Sequence, residues 1–431
     1  MRNLAALVVS FGAVACAEDF IIKNATVHPV SGPKLDGASI LVVDGKIAEI
    51  GPKVTPPKGA KNLKQIDAKG QQVYPGMIDS ATELGMSEIS SIRESVDVGE
   101  IGEFNPQLRA LVAINPGSEH IPVVRANGIT SVIVVPAGSG GGIIGGQAAL
   151  VHLNGWTWEE MDINGSVAMQ LRYPVIAGGF GGFGGFGFGR GQAAGGGYTQ
   201  AKQTKDNQVR QLNDFFEEAR RYKTAKDAKS PEYKLDAKLE AMIPVLEGRV
   251  PLLVVAMRER EIKEAIDWAT QEKVRIILAG VRKPGKSLSL IASKQIPVIV
   301  SPTLAAPLEE DDPYDEPYVL PAELNKAGVK FAFGSFGNEF SRNLPYQAAM
   351  AVDFGLPYDE GLKSITLTAA EIWGVGDKYG SLEKGKVADL VVTDGDILEA
   401  RTHVNMMFIA GQTVDLESRH TRLYKKYLER Q

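Results

Sequence analysis

Between Val250 and Thr368, short apolar runs alternate with longer amphipathic stretches, and this alternation limits the possible folds more than any other feature of the chain. Val250 to Ala256 reads as a strand, Glu259 to Ala269 as a helix and Arg275 to Leu278 as a strand. Lys286 to Ser293 (helix), Val298 to Val300 (strand), Pro321 to Ala327 (helix) and Lys330 to Gly334 (strand) continue the series. Tyr346 to Phe354 and Tyr358 to Thr368 close it as helices. Strands joined through helices run parallel, so the pattern calls for β/α units around a parallel sheet. Upstream, Leu108 to Ile114 suggests a helix, and Asn127 to Val135 a helix end running into a buried strand. Gln208 to Lys229 and Leu235 to Leu246 are amphipathic helices, the second packing through Leu239, Met242 and Leu246.

The two ends follow a different rule. Phe20–Ile22, Thr26–His28, Ser39–Val43 and Lys46–Ile50 are short strands, and Asp44-Gly45 between two of them is a two-residue hairpin signal. Val404–Ile409 and Gln412–Val414, turning at Gly411, repeat the pattern near the other end. Residues 178–197 contain twelve glycines, with Phe180, Phe183, Phe186 and Phe188 among them. That many glycines are costly to order, so this stretch is expected to be an insertion and not an independent fold.

Charge and histidine content exclude some functions. With a net charge of −5, the chain lacks the basic balance of a nucleic-acid binder. Its five histidines, His28, His120, His152, His403 and His420, include no pair two apart and no H-E-x-x-H run. His28 and His403 fall in the terminal strands, where structural roles are expected. At the N-terminus, Arg2 precedes an apolar run from Leu4 to Val14 and the small-x-small site Ala15-Cys16-Ala17. This is the pattern of an export signal over residues 1–17, placing the mature chain in the periplasm or outside the cell from about Glu18. Lipid attachment at Cys16 is the alternative. No other stretch is long and apolar enough to span a bilayer.

Two motifs connect these observations. Val73-Tyr74-Pro75-Gly76-Met77-Ile78-Asp79-Ser80-Ala81-Thr82-Glu83 is an apolar strand entering a polar loop. It resembles the first barrel strand of the amidohydrolase superfamily. Gly380-Ser381-Leu382-Glu383-Lys384-Gly385-Lys386-Val387-Ala388-Asp389-Leu390-Val391-Val392 closely resembles that superfamily's C-terminal signature, with the imidazolonepropionase-like branch most similar. Thr366 to Val375 is similar to a run near the family's barrel end. The resemblance implies a TIM-like (β/α)8 barrel over residues 74–378, interrupted by the insertion at 178–197. It also implies a small β-sandwich built from residues 18–73 and 379–431.

In metal-dependent members the first motif leads into His-x-His, whose imidazoles share a face because strand side chains alternate. Ala81 and Glu83 occupy those positions here. Val255 and Met257 stand where the family carries a second histidine pair, Ile276–Gly280 ends without a histidine, and Gly334-Ser335-Phe336 replaces Gly-(Thr/Ser)-Asp. Without these ligands the metal-hydroxide route lacks its scaffold, and no cofactor is expected. Two functions follow from the resemblance. One is a non-catalytic binding protein or accessory subunit of the cell envelope, partnered by a metal-competent paralogue or by itself, with a small-molecule ligand. The other is a hydrolase of non-peptide carbon–nitrogen bonds with a rebuilt site, holding zinc or another divalent metal only if that site supplies ligands. Glu83 and Glu88 would then provide the carboxylates, in the segment rich in acidic residues from Glu88 to Glu103, and Arg258 or Arg260 would stabilise negative charge. His152, Trp156 and Phe336 are candidate binding residues. The glycine-rich run Ser139–Gln147 lacks the Gly-Lys-Ser/Thr of a phosphate loop and reads as a tight loop at the barrel mouth.

Overall fold

A computed structural model describes residues 18–56, 63–136, 142–176, 197–231 and 233–430. The export signal and almost all of the glycine-rich insertion lie outside the described residues, as does the first part of the Ser139–Gln147 run.

The N-terminal strands are β1 (Phe20–Val27), β2 (Leu35–Val43), β3 (Lys46–Gly51), β4 (Lys64–Asp67) and β5 (Gln72–Pro75). Asp44 and Gly45 both take left-handed φ values, 49° and 72°, as a two-residue hairpin with the twist of its flanking strands requires. The next eight strands form the barrel sheet: β6 (Met77–Thr82), β7 (Ile129–Val134), β8 (Ile144–His152), β9 (Asp162–Arg172), β10 (Leu252–Val255), β11 (Ile276–Val281), β12 (Val298–Val300) and β13 (Phe331–Phe333). They follow one another in space as in sequence. The chain then returns to the first sheet through β14 (Leu390–Thr393), β15 (Val404–Ile409) and β16 (Gln412–Thr413). β14 pairs with β5, so the two ends of the chain share one eight-stranded sheet. That sheet folds over itself: Phe20 on β1 stacks on Phe408 of β15 at 4.3 Å between ring centroids, although two strands separate them in the sheet. This is the sandwich expected from both chain ends.

Short helices α1 (His120–Arg125) and α2 (Trp158–Met161) precede β7 and β9, and α3 (Tyr198–Asp227) and α4 (Ala237–Leu246) precede β10. Then α5 (Glu259–Glu272), α6 (Ser287–Ser293) and α7 (Glu316–Lys326) alternate with β11, β12 and β13, and α8 (Leu344–Asp353), α9 (Tyr358–Ser364) and α10 (Leu367–Ile372) follow. From β10 onward the alternation is the one the sequence predicts. Alternate strand residues divide between two cores. Leu252, Val254 and Leu278 pack outward under the helices, whereas Leu253, Val255, Ile277 and Ala279 pack inward.

Three expectations are corrected. First, the barrel is not uniformly parallel, because β8 runs against both β7 and β9. Only residues 135–143 separate β7 from β8, too few for the crossover that a parallel neighbour needs. Second, Leu108 to Ile114 is not an α-helix but a 3-10 turn at Ala110–Ala113. The backbone just before it pairs with the sheet, Leu108 O accepting from Gln147 N at 2.8 Å, and this holds the chain extended. Third, the helix expected over Tyr358–Thr368 breaks into α9 and α10. At the break Ile365 presents its carbonyl to Ile78 N on β6 at 2.8 Å.

Candidate functional site

The first and last barrel strands do not pair as a ladder. The seam between them is closed by backbone and side-chain bonds at the end of β6 and in the loop after β13. Phe336 N donates to Ala81 O at 2.8 Å, and Ser335 N donates to Asp79 Oδ1 at 2.9 Å. Ala81 N also bonds Asp79 Oδ1, at 3.2 Å. Thr82 Oγ1 donates to Gly337 O at 2.6 Å and lies 2.8 Å from Ser341 Oγ, which is 3.0 Å from Ser335 Oγ. Asp79, Thr82, Ser335 and Ser341 are all buried, so this polar chain is sealed from solvent. The second carboxylate oxygen of Asp79, Oδ2, is buried without a hydrogen-bond partner. Burial pushes the Asp79 carboxyl up to about 6, and the bonds from Ser335 and Ala81 only partly oppose that shift.

Above this seam, Ala81, Val255 and Phe336 belong to one buried apolar cluster inside the barrel, with Ile78, Ile299 and Ala332. Phe336 takes a left-handed φ of 54°, rare for an aromatic residue. A Cβ placed on Gly334 would lie 2.9 Å from the Phe336 ring and 3.0 Å from the Ala81 Cβ. Gly334 is thus the gap through which Phe336 folds back over Ala81. Tight zinc sites need three or four nitrogen, sulfur or oxygen donors. Of the positions that the sequence resemblance implies as ligands, Glu83 alone offers a carboxylate, buried just past the end of β6, so the donor set does not fit such an ion. Among the described residues one acidic group, Glu309, Asp311 and Asp312 after β12, has the spacing for a cation. It is mostly exposed, and Lys283 and Arg258 already pair with its carboxylates.

The other candidates are dispersed. Glu88 is half-buried in the loop after β6, its backbone N bonded to Ser95 O and its carbonyl 2.9 Å from His120 Nε2. Arg258 caps the start of α5 on the rim, where it pairs with Glu261 at 3.7 Å and Glu309 at 3.3 Å. Arg260 pairs with Glu264 on the surface of that helix. His152 and Trp156 do not line the mouth. Because β8 is antiparallel, its last residue returns to the level of Ser131, near the start of β7. There His152 Nε2 meets Asp389 Oδ2 of the C-terminal signature at 3.1 Å, and Trp156 in the following loop is 92% exposed. His28 and His403 bond Gln72 and Asp394, consistent with structural roles. The sequence reading missed Asp79, although it shares the strand parity of Ala81 and Glu83 within the first motif.

Fold and motif together define a class. The amidohydrolase family matches residues 319–414, which cover the end of the barrel and the returning strands. The chain is 23% identical to amidohydrolase tasK of Hapsidospora irregularis over 88% of its own length, and it spans 41% of that longer protein. The crystal structure of an amidohydrolase from Thermotoga maritima MSB8 superposes with a TM-score of 0.78, at 24% identity over 92% of this chain and 99% of that one. Molinate hydrolase superposes at 0.54, with 16% identity over 93% and 95% of the two chains, and a Xaa-Pro dipeptidase with bound methionine at 0.55, with 14% identity over 92% and 100%. The chain thus carries an amidohydrolase-family segment over residues 319–414 and shares the fold of these amidohydrolases.

Proposed function

We propose that this is an exported amidohydrolase-fold protein that does not perform metal-assisted hydrolysis and serves as a binding protein or accessory subunit of the cell envelope. One observation carries the reading: Ala81, Val255 and Phe336, at positions where the family places ligands, are packed together as hydrocarbon in the barrel interior. A metal would have to displace that packing and would find one carboxylate, Glu83, to hold it. The partner is a metal-competent paralogue or a second copy, and export rests on the leader pattern over residues 1–17. Elemental analysis of the dialysed mature protein, together with assays on amide, carbamate and cyclic-amide substrates, tests it. The expected result is substoichiometric zinc and manganese with no turnover. Near-stoichiometric metal or a metal-dependent rate would overturn it.

A second reading, hydrolysis of a non-peptide carbon–nitrogen bond at a rebuilt site, has one observation in its favour. Glu83, a buried carboxylate just past the end of β6, stands where a general base would be needed. Turnover unaffected by chelator but lost in Glu83→Gln, with the fold intact, would select it.

A further inference from the structure

Beyond the barrel and sandwich lies one more helix, α11 (Arg419–Leu428). Its start is well built: Ser418 and Thr421 form a reciprocal capping box. Its packing is unusual, since every residue from Arg419 to Arg430 is exposed and none reaches a core. The helix touches the body through Arg422, whose guanidinium lies 3.1 Å from a Glu119 carboxylate oxygen beside α1. At about 100° per residue, Leu423, Tyr427, His420, Tyr424 and Leu428 fall on one arc of roughly 140°. Tyr424 is 67% exposed, Tyr427 53% and Leu428 47%. A surface helix normally turns such an arc toward the core; here the polar side holds the tether and the apolar side faces solvent. An uncovered helix of this length is marginal in water, so a surface that buries the arc would supply missing stability.

We infer that α11 is a docking helix for a bilayer surface bearing anionic headgroups. Charge selects this occupant. Arg419, Arg422, Lys425, Lys426 and Arg430 stand against Glu429 alone, in a chain whose net charge is −5. On the helical wheel Arg419, Lys426 and Arg430 border the apolar arc at its Leu423 edge, and Lys425 lies beyond its Leu428 edge. Cations flanking a tyrosine- and leucine-bearing face make a helix suited to lie in an interface, with the aromatic rings at headgroup depth. A two-fold contact between copies through the same face would set these cations against their own counterparts.

The test uses the mature chain with vesicles of phosphatidylcholine alone and of phosphatidylcholine mixed with phosphatidylglycerol. Sedimentation should retain the protein on the mixed vesicles and not on the neutral ones, and retention should fall as salt rises. Lys425→Glu with Lys426→Glu should weaken partitioning about tenfold or more, and so should Tyr427→Asp with Leu428→Asp. Circular dichroism and the thermal midpoint of the body should stay unchanged. No retention, equal retention on both vesicles, or full retention by either variant would overturn the proposal. A dimer in light scattering that the Tyr427→Asp/Leu428→Asp variant dissolves would also overturn it, making the face a contact between copies.

Discussion

Replacing Asp79 by Asn tests the account of the barrel seam quantitatively. The folded carboxyl titrates near 6 against an ordinary 3.8, a rise of about two units. At about 1.4 kcal/mol per unit this corresponds to about 3 kcal/mol of differential stability between the protonated and ionised folded states. The sign follows from proton binding. Between about pH 4 and 6 the folded chain holds a proton that the unfolded chain has released, so the contribution of Asp79 is most favourable below 4. It is lost as pH rises through the folded value near 6, and at pH 7 the full cost of the buried charge is present. Asparagine keeps an Oδ1 that accepts from Ser335 N and Ala81 N, the two bonds that fix the native side chain. It carries no charge to desolvate. Its Nδ2 must settle where Oδ2 now lies, and a buried donor left unmatched costs about 1–3 kcal/mol, a loss that does not vary with pH. The informative quantity is therefore the slope. Urea unfolding of both proteins at steps from pH 4.5 to 7.5 should show the variant gaining on the wild type by about 2 kcal/mol across the range. A constant difference would refute the reasoning. So would a wild type that gains on the variant as pH rises, since the bonds from Ser335 and Ala81 would then hold the carboxylate below its ordinary value.

Three further expectations follow from buried contacts. Arg282 and Glu316 form an almost fully buried ion pair at 2.7 Å, so Glu316→Ala should cost about 3–5 kcal/mol in chemical denaturation, whereas Arg282→Met with Glu316→Leu should recover most of it. Asp389→Ala removes the acceptors for His152 Nε2 and for Ala410 N, and should lower stability by about 2–4 kcal/mol; an unchanged midpoint would mean that the junction of barrel and sandwich does not depend on this carboxylate. Ala81→His must fit an imidazole beneath the Phe336 ring and should cost about 1–3 kcal/mol in thermal unfolding. With Glu83→His added, the protein should still take up no stoichiometric zinc after dialysis, because the later strands supply no ligands.

What the sequence determined by itself was whatever short range encodes. The hairpin at Asp44-Gly45 needs two left-handed residues, and the pair supplies them. The strand–helix alternation after Val250 was legible because each unit has its own period, and the C-terminal signature marked the return of the chain to the first sheet. That Ala81, Val255 and Phe336 carry hydrocarbon side chains was equally plain, being a matter of identity at a position. The strands β8 and β9 and the helix α11 were less legible. Nothing local states that β8 reverses direction; that follows from a connection too short to cross over, and it carries His152 and Trp156 away from the mouth. Only the tertiary structure brought Asp79 to Ser335, 256 residues away, and folded Phe336 back over Ala81 through the space left by Gly334. Closing a barrel joins its first strand to its last, so the residues at that seam are distant in sequence by construction. Their burial, hydrogen bonding and ionisation are set by the partner that closure provides.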